Sequence, residues 1–200
     1  AKRLTLQKKE EQQCVLTLDL SSKMDVTTDE ARNVGYGILK ELYKDLELDK
    51  FWIWKTRNLD VQYNVDQIFR LLVFARVLFP DSKRGTFEDR KQFFEDFNDF
   101  TLDDVYRCLD VIQKNQDALQ QWIFKRSDKI YPRDLSVAYY DCTNYYFDIG
   151  RPDVDLKDED GQPTEAAYRK RGPEKNRRPD PIVQMGLLTD RNGIPLAFEL

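Results

Sequence analysis

The spacing of apolar residues divides this chain into a helical first part and a β-rich last part. Between residues 28 and 127 the apolar positions recur with helical periodicity, which predicts a compact domain of about five helices. The predicted helices cover about 28–48, 64–79, 87–97, a segment opened by Thr101-Leu-Asp-Asp104, and 115–126. The run 64–79 is apolar nearly all round, which is typical of a central bundle helix, and Pro80 ends it.

Three short segments lie outside the predicted helices. The apolar run Phe51-Trp-Ile-Trp54 is predicted to be a core plug between helices, with stacking on nucleic acid bases as the alternative. Residues 81–85 are predicted to form a turn. A short strand over 15–20 is also indicated near the start of the chain.

After Pro132 the pattern changes to β structure. Strands are predicted over 136–147, 182–188 and 194–200, with Asp190-Arg-Asn-Gly193 as a hairpin turn between the last two. Residues 148–180 have no periodicity and are predicted to form a long loop. We therefore expect an α+β fold, with a helical domain at 1–131 and an incomplete antiparallel sheet at 132–200, one of whose faces is uncovered.

Composition narrows the possible chemistry. The 200 residues include no histidine, which removes Ser-His and Cys-His catalysis and disfavours a zinc site. The three cysteines are far apart in sequence, as expected of reduced, buried thiols in a cytosolic protein. The net charge of -4 predicts no general attraction to nucleic acid, so any such binding requires a local basic patch. Metal chemistry here would use carboxylates, which favours Mg²⁺ or Mn²⁺.

The ends of the chain and its apolar runs also set expectations. No apolar run approaches the roughly 20 residues needed to cross a bilayer, and no signal peptide is visible, so we expect no membrane partner. The chain starts without Met and stops inside a strand-like run at Leu200. We therefore expect it to be a piece of a longer protein.

Asp141 is the first candidate for chemistry because it lies in the middle of the best predicted strand. Aspartate is poorly suited to a strand interior, and desolvating its carboxylate costs several kcal/mol unless something compensates. A metal ion is one compensator; a backbone N–H or a neighbouring arginine is the structural alternative. Thr143 would share the face of Asp141, since alternate residues of a strand point the same way.

The predicted loop 148–180 is acidic in its first half and basic in its second half. A connection of this length within a compact domain is usually functional or disordered. Its basic residues would each neutralise one backbone phosphate of DNA, giving a salt-dependent affinity; a solvated loop is the alternative. The basic side chains proposed to contact DNA are Lys170, Arg171, Lys175, Arg177 and Arg178.

Four blocks of sequence, in this order, resemble bacterial insertion-sequence transposases of the DDE type. The blocks are 71–83 (LLVFARVLFPDSK), 105–110 (VYRCLD), 139–147 (YYDCTNYYF), and 171–180 (RGPEKNRRPD) leading into 184–196 (QMGLLTDRNGIPL). The resemblance covers roughly residues 30–200. One departure is the Gly172-Pro-Glu-Lys175 stretch, where the family usually has a Gly-Tyr-Ser-Lys-like sequence.

The resemblance implies a ribonuclease H-like catalytic domain in which Asp141 is the first aspartate of the catalytic triad. It implies two Mg²⁺ ions, held by three carboxylates, that support phosphodiester cleavage and strand transfer. The other two carboxylates would lie beyond residue 200, so the 200-residue chain itself would be inactive. The implied partner is DNA, as terminal inverted repeats and target, in the bacterial cytoplasm or nucleoid.

Several alternatives stay open. The chain could be a module that binds DNA ends without cutting them, or a helical interaction domain whose β segment is incidental. Two roles are open for the helical domain as well, namely binding the terminal repeats or forming a homodimer.

Overall fold

The computed structural model of the protein describes residues 33–93, 95, 97–147, 149–165, 167–172 and 180–200. In these residues the fold is α+β, with six α-helices and a three-stranded antiparallel sheet, which confirms the predicted class. The chain divides into two compact units between Gln116 and Asp117. The last helix is thus grouped with the sheet, whereas the sequence predicted a helical domain reaching 131. The predicted strand at 15–20 lies outside the described residues.

The first unit contains five α-helices and one short 3-10 helix. Their bounds are α1 Tyr36–Asp45, α2 Leu48–Thr56, α3 Val65–Leu78, α4 Lys83–Glu88, the 3-10 helix Asp89–Gln92, and α5 Leu102–Lys114. Of the predicted helix 28–48, residues 28–32 lie outside the described residues, residues 33–35 are not helical, and the C-terminal end is wrong. Glu47 has a left-handed backbone (φ 51°) that ends the first helix and starts the second in a new direction.

Side-chain caps mark the starts of α3 and α5. The Asn64 side chain accepts a hydrogen bond from the Gln67 N–H (3.1 Å), and α3 starts as predicted. At α5, Thr101 and Asp104 form a reciprocal capping box, also at the predicted position.

The predicted turn at 81–85 is wrong because Ser82 caps a helix there. Its hydroxyl accepts a hydrogen bond from the Gly85 N–H (3.0 Å), and α4 begins at Lys83. The predicted helix 87–97 is replaced by the end of α4 and the 3-10 helix.

Aromatic side chains form much of the core of the first unit. Phe51 and Trp52 are fully buried, which confirms a core role for half of the predicted plug, but Ile53 and Trp54 are exposed on the other side of α2. Phe93 is at the centre of the aromatic cluster. Its ring lies within about 6.5 Å, centroid to centroid, of the rings of Tyr36, Phe74, Phe79 and Phe97.

A polar network runs through the same unit. The buried Tyr43 hydroxyl donates to Asp66 (2.6 Å), and Arg70 bridges Asp66 (3.3 Å) to Glu95 (2.6 Å), which also pairs with Lys40. Burial is the main influence on Asp66 and raises its pKa, although the Tyr43 hydrogen bond and Arg70 oppose that shift. The network joins α1, α3 and the segment before α5.

The second unit contains one helix and two small sheets. Its elements are α6 Gln116–Ile130, β1 Ala138–Tyr146, β2 Leu156–Lys157, β3 Pro163–Glu165, β4 Ile182–Asp190 and β5 Pro195–Glu199. The larger sheet has the order β1-β4-β5, all antiparallel, and β2 pairs with β3. The predicted pairing of the second strand with both the first and the third is confirmed.

Helix α6 blocks one edge of the larger sheet. The Gln120 side chain accepts a hydrogen bond from the Phe198 N–H of β5 (2.9 Å), and Arg133, just after the helix, donates to the Pro195 carbonyl (2.8 Å). Such contacts protect an edge strand from further pairing. The other edge strand is β1.

Asp190 organises the hairpin between β4 and β5. Its buried carboxylate accepts hydrogen bonds from the backbone N–H groups of Asn192, Ile194 and Asp134, at 2.9, 2.8 and 3.2 Å. Burial alone would raise the pKa of Asp190, but these three donors together hold it below its usual value. The predicted turn is confirmed, and Gly193 supplies the positive φ (80°) that it needs.

No helix in the described part of the chain is long and apolar enough to cross a membrane.

Replacing Thr101 with Ala removes the capping box of α5. We expect the free energy of unfolding to fall by about 1 kcal/mol, because a donor at the helix start loses its partner. Urea unfolding followed by circular dichroism measures the change. Gln113→Ala, at an exposed position near the other end of the helix, is the control. Equal stability of the Thr101 variant and the native chain would show that the cap contributes nothing.

Replacing Asp190 with Asn puts an amide donor against backbone donors. We expect faster amide exchange across β4 and β5. Because the folded pKa of Asp190 is depressed, its stabilising effect is complete above the unfolded value of about 4 and is lost as pH falls through the folded value. The variant should lose this part of the acid sensitivity. An unchanged exchange pattern and pH profile would contradict the proposed role.

Candidate active site

Strand β1 holds Asp141 near its middle, with the side chain exposed. In the ladder with β4, Asp141 lies opposite Leu187 and Thr143 opposite Met185. Both side chains therefore project from one face of the sheet, as predicted from strand periodicity. The main-chain pairing fixes their position while leaving them open to solvent.

The environment of Asp141 differs from the sequence expectation. The carboxylate is not desolvated by the described residues, so no compensating partner is needed to explain its presence in the strand. The structural alternative is not seen either, since no described arginine or backbone N–H contacts this carboxylate. What remains is an accessible anionic oxygen donor held on a regular strand.

The opposite face of β1 has a different character. The Tyr140 ring lies over Gly186 of β4, where any Cβ would collide with the tyrosine hydroxyl. The thiol of Cys142 is free and lies opposite Gly186. It is exposed, so the predicted burial of the cysteines is wrong here, whereas Cys108 is buried as predicted. A hydrogen bond with the Cys142 thiol is the main cause that raises the pKa of Tyr140, and Glu199 adds to the shift. Asp141 and Thr143 are not on this face.

The donor chemistry at Asp141 suits a hard cation. Carboxylate and hydroxyl oxygens are ligands that Mg²⁺ and Mn²⁺ accept. Among the described residues, however, no group of three or more Asp, Glu, Cys or His side chains is placed to hold a metal ion. The described part of the chain therefore assembles no metal centre, and Asp141 is a single exposed carboxylate there.

The predicted loop 148–180 is partly ordered as β structure, which corrects the sequence reading. Strands β2 and β3 form a hairpin whose turn is built on Asp158, which accepts hydrogen bonds from the N–H groups of Asp160 (3.1 Å) and Gln162 (2.8 Å). Further on, Lys170 makes a two-way backbone bridge to Ile182 at the start of β4. The loop is therefore attached to the end of the sheet.

Two of the five predicted DNA-binding residues are described, and both lie at that end of the sheet. Lys170 is next to Ile182, which pairs with Tyr146 at the end of β1. Arg171 is exposed and donates to the Gly150 carbonyl (3.1 Å). Tyr146 is five positions along the strand from Asp141, roughly 17 Å at the usual rise. Lys175, Arg177 and Arg178 lie outside the described residues.

The sequence did not predict that carboxylates pair with the basic segment, which we define as residues 169–178. Arg169 clamps both carboxylate oxygens of Asp153, with Nε at 2.9 and 3.0 Å, and Lys170 Nζ lies 3.2 Å from Asp155. The Arg169 hydrogen bond is the main cause that lowers the pKa of Asp153, and a backbone N–H has the same effect on Asp155. The alternation Asp153-Val-Asp155 and the Asp160-Gly161 turn signal could have indicated this folded-back arrangement.

No family model matches this chain, and searches of curated proteins and of solved structures found none with significant similarity. Functional assignment therefore depends on the residues themselves.

Proposed function

We propose that this chain is the N-terminal portion of a DDE-type transposase, which cleaves and joins DNA phosphodiesters with divalent metal ions. The main support is the exposed carboxylate of Asp141, which no described residue pairs with, on a regular strand next to an antiparallel hairpin. The ordered sequence blocks around it add support. In this proposal the sheet β1-β4-β5 is the first part of a ribonuclease H-like core.

Each candidate residue has a specific role in this proposal. Asp141 binds a metal ion, with Thr143 as a supporting hydroxyl on the same face. Two Mg²⁺ or Mn²⁺ ions held by Asp141 and further carboxylates would supply activation of water or a DNA 3′-hydroxyl and stabilisation of the leaving oxygen. The remaining carboxylates belong to sequence beyond residue 200. We therefore propose that the 200-residue chain alone lacks nuclease activity.

The basic segment would contact DNA away from the point of cleavage. Lys170 bridges Ile182, the partner of Tyr146, and Tyr146 is roughly 17 Å along β1 from Asp141, a span that several phosphates of a duplex would occupy. The proposed DNA partners are the terminal inverted repeats and the target, in the bacterial cytoplasm, with association with the nucleoid when DNA is bound. The helical unit would bind the repeats or form a homodimer.

A second candidate function is DNA binding without cleavage. The position of the basic segment favours it, because Lys170 and Arg171 could bind phosphates with no contribution from Asp141. The two functions differ in their dependence on that carboxylate.

We expect that Asp141→Ala in the full-length parent abolishes Mg²⁺- or Mn²⁺-dependent cleavage of DNA carrying the transposon ends. Loss of one ligand removes metal binding, but the DNA contacts lie elsewhere, so DNA affinity should stay unchanged. Gel analysis of cleavage and fluorescence anisotropy for binding measure the two effects.

Glu199→Gln is a matched control, since this carboxylate lies on the opposite face of the same sheet. It should retain cleavage. Undiminished cleavage by the Asp141 variant would remove this residue from the mechanism and leave the binding function as the better assignment.

We also expect the 200-residue chain to bind duplex DNA weakly, with an affinity that falls steeply as salt rises. Charge reversal of Lys175, Arg177 and Arg178 should reduce this binding and flatten its salt dependence, by a log–log slope of roughly 0.9 for each lost phosphate contact.

Charge reversal of Lys125, Lys129 and Arg191, exposed residues of the second unit away from those three positions, is the control with the same change in net charge. If both triple variants bound DNA equally well, the basic segment would have no role.

A further inference from the structure

The segment between β1 and β4 folds back on itself so that carboxylates face cations. We name residues 153–158 the acidic limb and residues 167–171 the basic limb. The two limbs are joined at Asp153, whose N–H donates to the Arg169 carbonyl (2.9 Å) while its carboxylate accepts from the Arg169 N–H (3.3 Å). The side chains of the same two residues form the bidentate pair described above.

A second pair repeats this arrangement two residues further along the acidic limb. Asp155 accepts a hydrogen bond from the Ala167 N–H (2.7 Å) and lies 3.2 Å from Lys170 Nζ. In extended chain, residues two apart are separated by about 6.6 Å and share a face. The acidic limb thus presents two anionic groups in a row to the basic limb, as a strand of a nucleic acid presents successive phosphates.

These ion pairs are accessible rather than locked inside the protein. The Lys170 and Asp155 side chains are 55% and 41% exposed, and those of Arg169 and Asp153 are 27% and 33% exposed. Exposed pairs of this kind are weak and are screened by salt. Phosphate is also a bidentate partner for the arginine fork, so a polyanion can replace the carboxylates.

We infer that the acidic limb is an internal competitor for the DNA phosphates that the basic limb binds, so that this segment is autoinhibited until DNA displaces the carboxylates. The inference depends on the proposed DNA-binding function. Its ligand class is a phosphodiester or other polyphosphate backbone. Arg171, which contacts only a carbonyl among the described residues, is the first cation that an approaching polyanion would meet.

Both carboxylates are ionised at neutral pH, because their partners hold the pKa of Asp153 and of Asp155 below the usual range. Two cations of the basic limb, Arg169 and Lys170, are therefore neutralised under ordinary conditions. Arg169 also lies against the Phe147 ring (5.6 Å), directly after β1. Release of the acidic limb would free cations beside the strand that bears Asp141.

The test measures binding of the double variant Asp153→Asn, Asp155→Asn in the 200-residue chain to short duplex DNA and to inorganic polyphosphate. We expect tighter binding of both, and a salt dependence steeper by a log–log slope of roughly 1.8, because two further cations become available. The control is Glu159→Gln, Asp160→Asn, at the exposed tip of the hairpin, which changes the net charge equally. It should leave the slope unchanged.

The double variant could change the fold of the segment, so a single variant tests the same inference with the limbs still joined. Asp155→Asn keeps the Arg169–Asp153 pair that joins the limbs, and it should steepen the slope by roughly 0.9. If the 153/155 variants and the tip control have the same affinities and slopes, the inference is wrong even where DNA is bound. If polyphosphate binding increases as expected but no variant binds DNA, autoinhibition stands and the proposed DNA function fails.

Discussion

The antiparallel pairing of β1 with β4 is the interaction on which the candidate site depends. It pairs nine consecutive residues of β1 with nine of β4, so the backbone is fixed both before and after Asp141 along the strand. Because this pairing uses main-chain groups, the carboxylate is positioned without any side-chain contact from the described residues. In the proposed function, the absence of such contacts leaves the lone pairs of the carboxylate available to bind a metal ion.

The two edges of the same sheet are treated differently. At β5, the side chains of Gln120 and Arg133 make hydrogen bonds with main-chain groups of the edge strand. At β1, both faces carry exposed aromatic residues. Exposed aromatic surface next to a sheet edge is typical of a region that packs against further protein. This observation agrees with the proposal that the sheet is the first portion of a larger core.

Charge is balanced locally in both units, but in different environments. In the helical unit, Arg70 connects Asp66 and Glu95 in a half-buried network whose role is to join helices. In the second unit, the pairs of Asp153 and Asp155 are more exposed and can exchange partners. We propose that the more exposed pairs exchange partners with a ligand, whereas the half-buried network joins helices.

The sequence alone determined the elements whose signals are local. The Asn64 and Thr101 caps, the strand bearing Asp141 and the hairpin turn at Asp190 depend on neighbours a few residues away, and each was predicted correctly. Tertiary structure decided the break at Glu47, the exposure of Asp141 and the pairing of Asp153 with Arg169. These depend on which distant residues meet, and hydrophobic periodicity contains no information about such contacts.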